Sequence, residues 1–210
     1  TSNGTPWTVK AISAGEESNC VILSNDRLKC WGLNYHGQCG YGDKNNRGDG
    51  SGEMGNNLPF VDLGTEDGTS NGTPWTVKQV SIQGTHTCVI LSNDRVKCWG
   101  ATSYGKLGLG DPGTNYYIGD AANEMGNNLP FVDLGTEDGT SNGTPWTVKQ
   151  IDTGGMHNCV ILSNDRVKCW GTNTNGQLGY EDTTQRGDGS GEMGNNLPFV
   201  DLGTGNTARQ

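Results

Sequence analysis

The sequence predicts an all-β protein built from three tandem copies of one unit. A ten-residue segment occurs three times, as TSNGTPWTVK at 1–10, 69–78 and 140–149, and residues 53–79 are identical to residues 124–150. Glycine accounts for 35 of the 210 residues, whereas the helix-favouring residues Ala, Glu and Lys are sparse. The repeats and the glycine content together favour short strands joined by many turns.

The repeats divide the chain into three units, at 1–68, 69–139 and 140–210. A unit of about 70 residues is too small to bury a good core alone, so the units are expected to stack on each other or on other chains. Both ends of the sequence fall inside the repeated linker pattern. We therefore expect a window of a longer array, or a protomer that completes itself by self-association.

The charge of the chain disfavours two classes of partner. A formal charge of −9 and a pI near 4.7 are unlike the basic surfaces that bind nucleic acid or anionic lipid. No apolar run approaches the ~18 residues of a transmembrane helix. We expect no nucleic-acid partner and no membrane insertion.

Three pairs of cysteines, each ten residues apart, predict a β-hairpin in every unit. Between the paired cysteines lies VILSNDRLK or VILSNDRVK, in which the turn-forming Ser-Asn-Asp is flanked by apolar residues. Turns centred on Asn25, Asn93 and Asn164 place the paired cysteines opposite each other, near disulfide range. We predict three cross-strand disulfides, joining Cys20 to Cys30, Cys88 to Cys98 and Cys159 to Cys169.

The alternatives to disulfides are buried reduced thiols or a metal site. The ten-residue spacing does not match the close pairs of zinc ligands, and the chain has three His. Disulfides form in oxidising compartments, so we expect an extracellular or cell-surface protein. The seventh cysteine, Cys39, stands where Leu107 and Leu178 stand, and it is either a small core residue or an intermolecular disulfide partner.

Each unit is predicted to contain four short strands. The first covers 7–12, 75–82 and 146–151; the hairpin strands lie around 20–23 and 28–31 and their equivalents; the fourth covers 58–63, 129–134 and 197–202. A long variable loop, at 31–53, 99–124 and 170–192, either faces a ligand or packs as an Ω-type loop.

Four strands per unit, with Gly and Trp at fixed places, are typical of a propeller blade. Large Trp side chains can fill the space between stacked blades, and we assign this role to Trp7, Trp31, Trp75, Trp99, Trp146 and Trp170. Propellers have at least four blades. Three four-stranded blades therefore predict an incomplete or open β-propeller.

The third unit resembles the RCC1 repeat. The resemblance lies in IDTGGMHNCVIL at 151–162, VKCWG at 167–171, GQLG at 176–179 and LPFVDLG at 197–203, and it extends over nearly the whole chain. The paired cysteines resemble RCC1-type repeats of secreted or cell-surface proteins rather than the nuclear exchange factor.

The sequence departs from the RCC1 pattern at three places. Ser18 stands where the other units have His86 and His157, Gln83 replaces a Gly, and 66–72 is an insertion. The two histidines are expected to be buried and hydrogen-bonded rather than catalytic. No catalytic constellation emerges, and we predict that the protein is not an enzyme.

Two loop motifs have a structural and a functional interpretation. Arg47-Gly-Asp49 and Arg186-Gly-Asp188 spell an integrin-like tripeptide, although an Arg–Asp contact within a turn is the expected role. Asp43, Asp49 and Glu53 share one loop and could hold Ca²⁺, but they lack an EF-hand-like spacing. No other cofactor is expected.

Each unit contains an N-glycosylation sequon in a polar linker. The acceptors are Asn3, Asn71 and Asn142, each followed two residues later by Thr and then by Pro. The Pro is expected to lower the efficiency of glycosylation, and O-glycans on the Thr/Ser-rich linker are a further possibility. The alternative is a polar loop with an Asn-Gly turn.

Three hypotheses for function remain. Near-identical repeats give near-identical interfaces, and interfaces that do not close produce filaments, which favours an extracellular fibre or appendage. The second hypothesis is a module that binds a protein or glycan through its loops, with Tyr104, Tyr116 and Tyr117 as the candidate cluster. The third, nucleotide exchange on a GTPase, is disfavoured by the cysteine pattern and the acidic charge.

Overall fold

The computed structural model describes residues 4–111, 113 and 116–203, in which ten strands form three antiparallel sheets. The sheets are called blades 1 to 3. Blade 1 contains β1 (Val9–Ala14), β2 (Ser18–Leu23) and β3 (Leu28–Gly32); blade 2 contains β4 (Val77–Gln83), β5 (His86–Leu91), β6 (Val96–Ala101) and β7 (Tyr117–Ile118); blade 3 contains β8 (Val148–Thr153), β9 (His157–Leu162) and β10 (Val167–Gly171). The all-β prediction is confirmed.

Helical structure in the described ranges is confined to single turns. Short 3-10 turns occupy Ser103–Gly105, Gly126–Asn128 and Gly194–Asn196. Over the part of the chain that the structure covers, no helix combines the length and hydropathy that crossing a membrane requires.

The predicted hairpins are present in all three blades, with the predicted register. Cys20 lies opposite Cys30, and the equivalent cysteines of blades 2 and 3 are paired in the same way. The turn is set by Asp26, whose φ of 60° lies in the left-handed region that Asp tolerates. Asn25 closes the turn by accepting the Arg27 N–H through Oδ1, at 3.2 Å.

The first strand of each blade begins two residues later than predicted. β1, β4 and β8 start at Val9, Val77 and Val148 rather than at the preceding Trp. The reason is visible in blade 2, where the Trp75 N–H donates to the Gly64 carbonyl at 3.0 Å. This bond ties the Trp segment to the linker instead of to the hairpin.

The predicted fourth strand is wrong. The segment 58–63 and its equivalents are not strands, because their backbone groups have few ladder partners: Pro59 cannot donate, and Val61 N–H bonds Leu28 O at 2.9 Å. The outer edge is formed instead by β7 in blade 2. Single bridges, Gly32 to Arg47 and Gly171 to Arg186, take its place in blades 1 and 3.

The blades stack in chain order and enclose two hydrophobic cores, as in an open β-propeller. We call the face of a blade that carries the disulfide its leading face, and the opposite face its trailing face. The first core joins the leading face of blade 1 (Cys20, Ile22, Leu28, Cys30) to the trailing face of blade 2 (Val77, Val80, Val89, Leu91, Trp99). The second joins Cys88, Ile90, Val96 and Cys98 to Val148, Ile151, Val160, Leu162 and Trp170.

Candidate interaction surfaces

The two internal interfaces show what one blade requires of the next. The clearest contact is made by the Trp at the end of the hairpin, whose indole passes into the preceding blade. Trp99 Nε1 donates to the Gln38 carbonyl at 3.0 Å, and Trp170 Nε1 donates to the Lys106 carbonyl at 3.1 Å. Both indoles are fully buried, each in one of the two cores between blades.

The inner strands of neighbouring blades are joined by side-chain hydrogen bonds. Gln79 on β4 donates to the Ile151 carbonyl at 2.7 Å and accepts the Ile151 N–H at 3.2 Å. Ser81 Oγ accepts the Thr153 N–H at 3.1 Å, and Ser13 Oγ accepts the Ile82 N–H at 3.1 Å. In each case the side chain of one blade binds the backbone of the next and fixes the register between them.

A polar pair is buried where blades 2 and 3 meet. His86 Nε2 lies 2.8 Å from Asn158 Oδ1, and Asn158 Nδ2 donates to the Lys106 carbonyl at 2.6 Å. Burial lowers the pKa of His86 to about 4, although the bond to Asn158 opposes the shift. The imidazole is therefore neutral at pH 7. Thr87 occupies the position of Asn158 between blades 1 and 2, and its hydroxyl donates to the Gln38 carbonyl at 2.8 Å.

Two of the three buried lysines among the described residues lie on the hairpins of blades 2 and 3, and their burial was not anticipated from the sequence. Lys97 Nζ donates to the Leu63 and Gly126 carbonyls, both at 2.8 Å. Lys168 makes the equivalent bonds to the Leu134 and Gly194 carbonyls. Burial lowers the pKa of both lysines to about 8. The only sequence signal is that Lys recurs before the second Cys of every hairpin, which gives no hint of burial.

The trailing face of blade 1 is open. Val9 and Ile12 are 59% and 66% exposed, whereas their equivalents Val77 and Val80 are 2% and 7% exposed. Trp31 is half-buried and Met54 is exposed on the same face. This face therefore presents Val9, Ile12 and part of Trp31 to solvent, whereas Val21 and Leu23 on the same face are only 8% exposed.

The leading face of blade 3, at the other end of the stack, is also open. Cys159, Ile161 and Val167 are half-buried, whereas the equivalent residues of blades 1 and 2 are buried. A Cβ at Gly105 would collide with the backbone of Asp188 in the following blade. The equivalent Gly176 keeps a φ of +75° but has no described atom within 4 Å of that Cβ position.

The structure contains the three predicted disulfides, and each lies on the leading face of its blade. Cys39 is a free, fully buried thiol in the first core. Burial raises its pKa to about 12. The thiol is thus protonated and enclosed, an environment suited to a core residue.

The three candidate tyrosines do not form one cluster. Tyr117 instead contacts Tyr35 and His36, with ring centroids 6.2 and 4.9 Å apart. Tyr104 and Tyr116 are exposed, and no ring contact among the described residues joins them to Tyr117. The aromatic cluster therefore bridges the loops of blades 1 and 2.

The Arg-Gly-Asp loops are organised by internal bonds. Arg47 Nη2 donates to Asp43 Oδ2 at 2.7 Å, and Arg186 bonds Asp182 in the same way. The Glu53 carboxylate accepts the Gly48 and Gly50 N–H groups at 2.8 and 2.9 Å. Among the residues with described positions, no group of three or more His, Cys, Asp and Glu is arranged to hold a metal.

Two of the three sequons lie in the described part of the chain, and both are exposed. Asn71 and Asn142 occupy surface turns in linkers that are closed by bridges, between Thr65 and Pro74 in the first case. The outermost residues of these turns, including both Asn side chains, face solvent. Asn3 lies outside the described residues.

Comparison with known proteins supports the architecture. The family model for the regulator of chromosome condensation (RCC1) repeat matches residues 9–38, 77–106 and 148–177. The Arabidopsis thaliana ultraviolet-B receptor UVR8 is 28% identical over 179 residues, which cover 85% of this chain and 33% of the relative. The human X-linked retinitis pigmentosa GTPase regulator is 24% identical over 179 residues, which cover 82% of this chain and 14% of the relative.

The solved structures agree on the fold. Yeast RCC1 (Prp20), crystallised with Kap60, superposes with a TM-score of 0.52 at 19% identity, over 86% of this chain and 36% of that protein. The chain thus spans about a third of the length of UVR8 and of yeast RCC1.

Proposed function

We propose, from the premise that this chain is an RCC1-repeat protein, that it is a non-catalytic extracellular building block which stacks its blades into a fibre or cell-surface appendage. Its repeats supply a protein-binding surface, and the partner is further blades of the same kind. The proposal extends to the end blades the stacking that holds the three blades together.

The observation that carries the proposal is the pair of open, complementary blade faces. The trailing face of blade 1 exposes Val9 and Ile12, and the leading face of blade 3 leaves Ile161 half-exposed. Contiguous exposed apolar surface of this kind marks interaction sites in soluble proteins. Two different faces that fit each other make a heterologous contact, which repeats into a ring or a filament.

Two observations favour an extracellular setting. Three intrachain disulfides are typical of oxidising compartments. The sequons at Asn71 and Asn142 are exposed, as glycan acceptors must be. A glycosylated, disulfide-bonded assembly would be durable outside the cell.

A second candidate function is a propeller module that binds a protein or glycan through its loops. The aromatic cluster favours it, since Lys44 Nζ lies 5.9 and 5.4 Å from the ring centroids of Tyr35 and Tyr117. Aromatic and cationic groups of this kind are enriched at recognition surfaces. Nucleotide exchange on a GTPase remains disfavoured by the net charge of −9.

Electron microscopy of the unreduced secreted protein, with mass spectrometry of the same sample, tests the proposal. We expect ordered fibres whose axial repeat corresponds to three blades, and glycan mass at Asn71 and Asn142. Monomers at all concentrations would overturn the assembly. Small closed rings would overturn the fibre and favour the binding module.

A further inference from the structure

One buried position between the blades follows a pairing rule within this chain. Where blade 2 presents His86, blade 3 presents Asn158, and the two side chains are bonded to each other. Where blade 1 presents the small Ser18 instead, blade 2 presents Thr87, which bonds only the Gln38 carbonyl. The large His86 is thus matched by Asn158 in the next blade, and the small Ser18 is matched by the shorter Thr87.

The same two positions are also present on the open faces. Blade 3 carries His157 on its leading side, at the position of His86. Blade 1 carries Asn19 on its trailing side, at the position of Asn158. His157 and Asn19 are both half-buried, whereas His86 and Asn158 are fully buried. The end blades therefore hold the two halves of a His–Asn pair, which is the combination that joins blades 2 and 3.

The open face of blade 3 carries side chains that could bond the inner strand of a further blade in the register seen between blades 2 and 3. Gln150 and Asp152 of β8 stand at the positions of Gln79 and Ser81 and are exposed. In a stacked copy, these side chains would face the backbone of Ile12 and Ala14, the equivalents of Ile151 and Thr153. An amide and a carboxylate can both accept backbone N–H bonds. The polar groups on the two open faces thus match one another.

The glycine that lies against the Trp indole between blades 2 and 3, and the indole itself, both have equivalents on the open faces. Gly108, whose φ is +66°, leaves room for Trp170, and a Cβ there would collide with its indole. Gly179 holds the same place in blade 3 and is exposed, and the side chain nearest to its Cβ position is that of Val200, 2.9 Å away, rather than an indole. Trp31 on blade 1 is the equivalent indole and is half-buried.

We infer that blade 3 of one molecule docks head to tail on blade 1 of a second copy of this chain, and that the His157–Asn19 pair selects this contact. The inference rests on the proposed function and names its partner. A second copy is favoured because Asn19, and not a Thr, faces the position that His157 occupies. Between blades 1 and 2 the chain uses the other combination, in which Ser18 is matched by Thr87.

Variants with one face blocked test the docking. Ile12→Glu places a charge on the trailing face, at a side chain that is 66% exposed, and Ile161→Glu does so on the leading face. We expect each variant to be monomeric alone and an equimolar mixture to form a 1:1 dimer in sedimentation. Thermal unfolding checks that both variants fold, and Asp152→Lys is a second block for the leading face, at an exposed residue.

A double-mutant cycle between the two blocked partners tests the pair. His157→Ser is placed in the Ile12→Glu molecule, and Asn19→Thr in the Ile161→Glu molecule. Each single change is expected to weaken dimerisation by about tenfold, because a buried polar group loses its partner. The two changes together reproduce the Ser18–Thr87 combination and are expected to restore most of the affinity.

The outcomes separate the inference from the proposed function. A dimer whose affinity shows no coupling between positions 157 and 19 would overturn the assigned pair and leave stacking intact. Persistent oligomers of both blocked variants would overturn head-to-tail docking while self-association stands. A wild-type protein that remains monomeric would overturn both.

Discussion

Blades 1 and 2 have nearly the same sequence and the same hairpin, yet they bury different residues. Val77 and Trp99 of blade 2 are enclosed, whereas Val9 and Trp31 of blade 1 are not. The difference lies in the neighbours, since blade 2 has a blade on each side and blade 1 has one. The comparison shows that the stacking contact, and not the blade itself, buries the side chains at the positions of Val9, Ile12 and Trp31.

The indoles should show the largest difference between the two blades. Trp99→Ala removes a buried side chain and its bond to the Gln38 carbonyl, and we expect a loss of about 3–5 kcal/mol in the free energy of unfolding. Trp31→Ala is the matched control and should cost about 1 kcal/mol or less in the monomer. Urea unfolding of both variants measures the difference, and equal losses would contradict the comparison.

The pH dependence of stability should distinguish His86 from His157. The pKa of His86 falls from 6.5 to about 4 on folding, so between these pH values the unfolded chain binds more protons than the native one. Stability is therefore present above pH 6.5 and is lost as the pH falls toward 4, by up to about 3 kcal/mol. Lys106 and His157 are the charged groups that act on this imidazole in the same direction.

Unfolding measured from pH 7 to pH 4 checks this dependence. His86→Gln should flatten the pH profile, and His157→Gln, at the half-buried equivalent whose pKa is also lowered by burial, should flatten it less. Identical pH profiles for the two variants would contradict the assignment of this dependence to His86.

The hairpin lysines should show a smaller effect. Lys97→Met leaves the Leu63 and Gly126 carbonyls without their donor, and we expect a loss of about 1–3 kcal/mol. Lys29 bonds one exposed carbonyl, that of Gly55, at 2.8 Å, so Lys29→Met should change stability by about 0.5 kcal/mol or less. Thermal unfolding at one pH compares them, and a larger loss at Lys29 would reverse the assignment.

The smallest effect is expected on the open face itself. Val9→Thr should leave the unfolding free energy of the monomer within about 0.5 kcal/mol of wild type, because the side chain is 59% exposed. Val77→Thr buries a hydroxyl at the equivalent place and should cost about 1–3 kcal/mol. Denaturant titration at low protein concentration makes the comparison, and a costly Val9→Thr would indicate that the face is covered.

The features that depend on local sequence were predictable. The hairpins follow from the turn at Asn25 and the ten-residue cysteine spacing, and the disulfides follow from the hairpins. The fourth strand was predicted wrongly because the largely apolar segment 58–63 also suits a linker that crosses to the next blade. Its Pro59 prevents a regular ladder, and β7 at Tyr117–Ile118 is too short to be read from sequence.

The features that depend on neighbours were not predictable. Trp31 and Trp99 have the same local sequence, Lys-Cys-Trp-Gly, and only the stacking order separates them. The burial of Lys97 depends on one carbonyl from the preceding linker, that of Leu63, and one from the later turn at Gly126. Tyr117 meets Tyr35 across two blades, a contact that no local pattern encodes.

Hydrogen exchange of the wild-type protein as a function of concentration tests the central claim most directly. The Ile151 and Thr153 amides are bonded to the preceding blade and should be protected at every concentration. The equivalent amides, those of Ile12 and Ala14, should become protected only as the concentration rises and a second copy supplies Gln150 and Asp152. Exchange at Ile12 and Ala14 that does not change with concentration would contradict the account.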